Sequence, residues 1–210
     1  MGSRPHILPL LALAAAALAA GCGEVARSGR SPSLLVVSSL EAASGATPAT
    51  FGGTLDSDVI TIVNRTEGGV QVAQPTVFSD VGRATFRLVL KDPGVPGNAS
   101  SPSSLNQITL TRYQVAFRRS DGRNTPGVDV PYPLDSALTL TVPAEGTVSG
   151  TFELVRHSAK EEAPLAALRT SGVIIATVAD VTFTGADLAG NVVTATASIG
   201  VQFGNFGDPR

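Results

Sequence analysis

Apolar and polar residues alternate with a period of two along much of the chain, the spacing that turns one face of a strand to a core and the other to water. The longest run lies near the carboxyl end, where Val193, Ala195, Ala197, Ile199, Val201 and Phe203 interleave with Thr194, Thr196, Ser198, Gly200 and Gln202. Shorter runs are Phe86, Leu88 and Leu90 against Arg87 and Lys91, Leu138, Leu140 and Val142 against Thr139 and Thr141, and Phe152 and Leu154 about Glu153. From Gln107 to Arg119 the apolar set begins on Ile108 and Leu110 and resumes out of phase on Tyr113, Val115 and Phe117. That phase change requires an extra residue near Thr111 or Arg112, a bulge or a sheet-switching bend. Leu34 to Ser39, Val59 to Val63 and Val173 to Thr184 complete about eight strands, a number suited to a two-sheet sandwich.

One segment, between Ala159 and Arg169, favours helix. Ser158 and Glu161 stand at capping-box spacing, Pro164 limits the segment to short turns, and Gly172 supplies a stop. Leu165 and Leu168, three apart, give it one apolar face that would plug an end of the sandwich. The stretch Pro93 to Ser104, rich in Pro, Gly and Ser, reads as a mobile connection. Near the carboxyl end, Asp187, Leu188, Ala189, Gly190 and Asn191 precede the alternating Val and Thr run. This segment, from Val181 onward, resembles the closing hairpin of bacterial immunoglobulin-like repeats. In such a turn Asp187 bonds the backbone ahead of it while Gly190 and Asn191 tolerate positive φ. The expected fold is all-β, an immunoglobulin-like two-sheet β-sandwich with one short helix, with a β-barrel as the alternative.

The amino terminus departs from this pattern. Arg4 precedes an apolar run from Ile7 to Ala20, too short to span a bilayer but suited to an export signal. Leu18, Ala19, Ala20, Gly21 and Cys22 resemble the lipobox of bacterial lipoproteins, in which the cysteine is lipidated and becomes the new amino terminus. That resemblance implies a signal peptide over residues 1 to 21 and a lipid on Cys22; the polar stretch that follows reads as a flexible tether over 22 to 33, and the remaining length suits a single domain over 34 to 206. The resemblance also implies an exported chain anchored to a membrane, at the outer membrane or cell surface. Cys22 is the single cysteine, so the domain contains no internal disulfide and relies on its core.

The mature chain would carry 14 basic and 17 acidic residues, with no basic footprint for nucleic acid. His157 would be its single histidine, and no nucleophile elbow precedes it. Cys22 and His157 have no companions at zinc-ligand spacing, and no cofactor motif appears. Asp56, Asp58, Asp80 and Asp92 sit near strand ends, where they could converge on calcium or form a carboxylate site, or simply cap turns.

The most unusual segment runs from Arg118 to Asp135. Arg118, Arg119, Asp121, Arg123, Asp129 and Tyr132 share it with Pro126, Pro131 and Pro133. Long proline-stiffened loops often carry function, and arginine and tyrosine are favoured interface anchors. An internally salt-bridged loop over a sheet edge is the alternative. The expectation is a non-catalytic module that binds an envelope protein or polysaccharide; a carbohydrate-active or hydrolase accessory domain and a structural spacer are the alternatives.

Overall fold

The structure, a computed structural model, describes residues 29–207. The segment expected to be a signal peptide and Cys22 lie outside the described residues. Strands β1 (Ser33–Ala43), β5 (Asp80–Leu90) and β10 (Thr147–Val155) form an antiparallel sheet in the order β1-β5-β10. The second sheet contains β2 (Thr54–Asp58), β8 (Ile108–Arg118), β9 (Leu134–Val142), β11 (Ile175–Asp187) and β12 (Val192–Gly204). Its order is β2-β12-β11-β8-β9, with β2 parallel to β12 and the other pairs antiparallel. The expected all-β sandwich is therefore present. Strands β1, β5 and β10 occupy the positions of A, B and E in an immunoglobulin-like sandwich, and β8, β9, β11 and β12 those of C, C′, F and G. Each sheet ends in edge strands, so it does not close into a barrel.

Two hairpins stand apart from these layers: β3 (Thr61–Glu67) with β4 (Val70–Thr76), and β6 (Gly94–Val95) with β7 (Asn98–Ala99). The strand expected over Val59 to Val63 is thus displaced. Val59 is fully buried in the bend after β2, its N–H bonded to the Gly204 carbonyl at 2.9 Å, and the strand begins only at Thr61. The expected connection from Pro93 to Ser104 contains the β6–β7 hairpin and leads into a 3-10 turn over Ser104–Asn106. Among the described residues no helix is long and apolar enough to cross a membrane.

The phase change in β8 is a bulge at Thr111. Leu110 and Arg112 pair with the consecutive residues Gly185 and Thr184 on β11, so Thr111 is the extra residue in that ladder; against β9 they pair with Leu140 and Ala137, and there the extra residue lies on β9, where Leu138 and Thr139 oppose Thr111 alone. The opposing strand approaches so closely that a Cβ on Gly185 would lie 2.3 Å from the Thr109 carbonyl oxygen. Glycine is the residue that fits there.

An aromatic lattice joins the sheets where antibody domains carry their inter-sheet disulfide. Phe86 of β5 meets Phe183 of β11 edge-on at 4.8 Å, and Phe183 meets Phe152 of β10 at 5.3 Å. Tyr113 of β8 packs on Phe152 at 5.0 Å and donates its hydroxyl to the Glu153 carbonyl, a polar bond between the layers. The Phe152 ring lies over Gly82, where a Cβ would come within 2.5 Å of it.

Helix α1 (His157–Glu161) and a 3-10 turn over Leu165–Thr170 follow β10, and Leu165 and Leu168 are buried in the core as their spacing predicts. The capping box does not form. Arg156 is the N-cap and Ser158 lies inside the helix, because β10 runs on to Val155 and the backbone turns earlier than the side-chain signal suggests. The carboxyl-terminal turn is as expected at Asp187, whose carboxylate accepts bonds from the backbone of Ala189 and Asn191. Gly190 takes positive φ there, but Asn191 does not; it holds the turn through its side-chain amide, bonded to Asp187 at 2.9 Å.

Phe183→Ala removes the ring that contacts both Phe86 and Phe152, and should lower unfolding free energy by about 3–5 kcal/mol in urea titration. A loss below about 1 kcal/mol would mean that the lattice does not hold the layers together.

Candidate functional site

The strands place the two ends of the sandwich in different chemical settings. At one pole β1 begins, β5 ends and β12 begins; Ser31, Ser33, Lys91, Val192 and Thr194 share the lining of a cavity of about 190 Å3. Lys91 Nζ donates to the Gly29 carbonyl at 2.7 Å, so the described chain enters here. At the other pole lie α1, the β3–β4 ribbon and the loop from β8 to β9. Strand β11 has 13 residues; at about 3.3 Å each the poles stand roughly 40 Å apart.

The loop residues are held mostly by one another. Arg118 is the last residue of β8 and reaches across to Asp180 of β11 (2.6 Å). Asp135 is on β9 and accepts from Arg112 Nε (2.5 Å) and from Gln114 (2.9 Å) on β8. Between them, Asp121 binds Arg119 (2.7 Å) and Arg123 (2.8 Å). Asp129 accepts the Thr125 N–H, and the Arg119 N–H goes to Asn124. Val130 is buried in the core beneath, and the Tyr132 ring lies against Gly127. The arginines are thus tied into internal ion pairs, while Val128 and Tyr132, 67% and 49% exposed, remain on the surface.

The four aspartates do not converge. Asp92 caps the β6–β7 hairpin by accepting the Gly94 N–H, and Asp56 is exposed beside a cavity of about 240 Å3. Asp80 and Asp58 are buried near one another, and Lys160 lies between them. Its ammonium is 1% exposed and sits 2.8 Å from Asp80 and 2.9 Å from the Asp58 carbonyl. Asp80 also accepts from Ser57 Oγ (2.5 Å) and the Gly45 N–H (2.9 Å); the Asp58 carboxylate accepts from Thr61 Oγ1 and the Phe206 N–H. Burial pushes the Asp80 carboxyl above its ordinary range, opposed by Lys160, Ser57 and Gly45. Both carboxylates are therefore committed to structure. Among the described residues, no three His, Cys, Asp or Glu side chains gather as metal ligands. His157 is exposed at the start of α1 and faces Glu161 at 3.4 Å.

Sequence reasoning missed Lys160, which reads as an ordinary polar residue of an amphipathic segment; its burial depends on partners 80 and 102 positions away. It also missed the β3–β4 ribbon, since only β3 was expected there. The Gly68-Gly69 pair between Val63 and Val70 was the available signal. No protein-family model, curated protein or solved structure matches the chain.

Lys160→Met leaves Asp80 buried without its counter-ion and should cost about 3–5 kcal/mol, whereas Lys160→Met with Asp80→Asn should recover most of that loss in urea titration. Equal losses would mean that the ammonium acts through packing alone. A separate expectation concerns acid. Arg119, then Arg123, holds the Asp121 carboxyl well below its usual value, and Arg112, then Gln114, brings Asp135 down to about 2. Arg118 and Ser198 lower Asp180; at Asp187 burial opposes the charge but bonds from Asn191, Ser31 and Ala189 outweigh it. Carboxyls depressed in the folded state contribute stability above the unfolded value of 3.8 and lose it as pH falls through the folded value. The melting temperature should therefore fall as pH drops from about 4 to about 2, and Asp135→Asn should flatten that fall.

Proposed function

We propose that this protein is a non-catalytic envelope module, lipid-anchored at Cys22, that engages an envelope protein or polysaccharide at the pole away from the membrane. The observation that carries this reading is the polarity of the sandwich. The chain enters at one pole, while Val128, Tyr132 and the β3–β4 ribbon are exposed at the other. Cys22 precedes Gly29 by seven residues, a reach of at most about 25 Å. A lipid on that cysteine would therefore keep the entry pole next to the bilayer and the loop pole facing outward. Cavities of about 190 and 240 Å3 are smaller than ordinary ligand pockets, which favours recognition over an exposed surface.

The test is site-specific photo-crosslinking in native membranes, with the crosslinker at Val128 on the loop pole or at Leu188 on the entry pole. Mass spectrometry of the mature amino terminus accompanies it. Lipid-modified Cys22 and partner adducts from position 128 but not 188 are expected. An unmodified Cys22, or adducts confined to position 188, would overturn the reading.

A further inference from the structure

The ribbon of β3 and β4 pairs with no other strand among the described residues. Every residue from Val63 to Pro75 is exposed, although a lone two-stranded hairpin is marginal in water and gains stability from a third strand. Its root is rigid, since the Asp58 carboxylate holds Thr61, and its tip is a two-residue turn with Gly68 and Gly69 both at positive φ. Glu67 pairs with Val70 across that turn, so Glu67, Arg65 and Val63 bond inward to β4. Asn64 and Thr66 then present their backbone N–H and C=O groups outward. The outer edge of β4 is interrupted by Pro75, which has no N–H to donate. The β3 edge is the one open to another strand.

We propose that this edge pairs antiparallel with β3 of a second copy of the chain, on a two-fold axis at Thr66. The outward groups permit three close registers. Pairing Asn64 with Asn64 sets Arg65 opposite valine, and pairing Asn64 with Thr66 sets Arg65 opposite Arg65, which like-charge repulsion disfavours. Pairing Thr66 with Thr66 sets Arg65 opposite Glu67 of the second copy, twice by symmetry. No other ion pair uses Arg65 or Glu67 among the described residues. The face that results carries two matching rows, each with Val70, Glu67, Arg65 of the second copy and Val72 of the second copy. Opposite charges meet at the centre, with a valine outside each. The association follows from the ribbon itself and does not depend on the lipid anchor.

Disulfide trapping with an added oxidant, in unfractionated lysates of cells expressing the full chain, tests this. Hydrogen-bonded antiparallel partners lie about 5.5 Å apart at Cα, within reach of a disulfide. Thr66→Cys should give a covalent dimer on non-reducing gels above the background set by wild-type Cys22, and Asn64→Cys, two positions from the axis, should not. In the Thr66→Cys chain, Arg65→Glu should cut the dimer yield roughly tenfold by placing like charges opposite one another, and adding Glu67→Arg should restore it. These positions are exposed, so the variants should keep the wild-type melting temperature. A Thr66→Cys yield at background, an equal yield from Asn64→Cys, or a yield indifferent to the charge exchange would overturn the proposal.

Discussion

An ammonium group without access to water must find compensating charge and oxygen ligands, or the fold that buries it does not form. Lys160 meets that requirement by drawing one partner from each layer. Asp80 starts β5 in the three-stranded sheet, and the Asp58 carbonyl ends β2 in the five-stranded sheet. The clamp positions α1 over one end of the sandwich, brings β2 alongside the end of β12, and seats both ends of the β3–β4 ribbon. Replacing such a pair with apolar groups is often harmless, whereas breaking it is not. Its contribution is better described as placement than as net stability.

Away from this pole the layers are joined by aromatic rings. Immunoglobulin-like domains exported to oxidising compartments commonly fasten strands B and F with a disulfide. Here Phe86 and Phe183 meet at that crossing, and Phe152 and Tyr113 extend the contact to strands E and C. Rings of this size need clearance, which explains why Gly82 lies under Phe152. Gly185 serves the same end at the Thr111 bulge, where the opposing backbone leaves no room for a side chain. The bulge lets β8 place both Leu110 and Tyr113 inward, so the phase change in the sequence reflects the need to keep both halves of one strand facing the same core.

The surface follows a different economy. The arginines of the β8–β9 loop are neutralised within the loop or across the adjoining ladder, leaving Tyr132 and Val128 as its uncommitted groups. The ribbon has the opposite character, with an open strand edge and, among the described residues, no ion pair to Arg65 or Glu67. Of the exposed features at the loop pole, the ribbon carries the geometry that another strand would recognise, and the loop offers an adjoining surface of fixed shape.

Much of the fold could be read from the sequence because a half-buried strand records its orientation in its own residues. The runs around Phe86, Leu138, Phe152 and Val193, the extra residue near Thr111 and the Asp187 turn are all local, and the structure contains each of them. The single cysteine likewise required a core without a disulfide. The sequence did not reveal β2, whose short polar strand has Leu55 as its one apolar anchor and is defined by parallel pairing to residues 146 positions away. Nor did it reveal β4, which buries no face and so leaves no alternation to read. The loop charges were visible as a cluster, but their pairing was not, because which carboxylate meets which guanidinium depends on strand register. Lys160 is the clearest case: as a side chain in a polar helical turn it is unexceptional, and only the meeting of two sheets at that pole removes it from water. Local periodicity determined which residues face inward, and tertiary structure decided which inward polar groups would meet, because a charge is buried only where several distant segments together supply its partners.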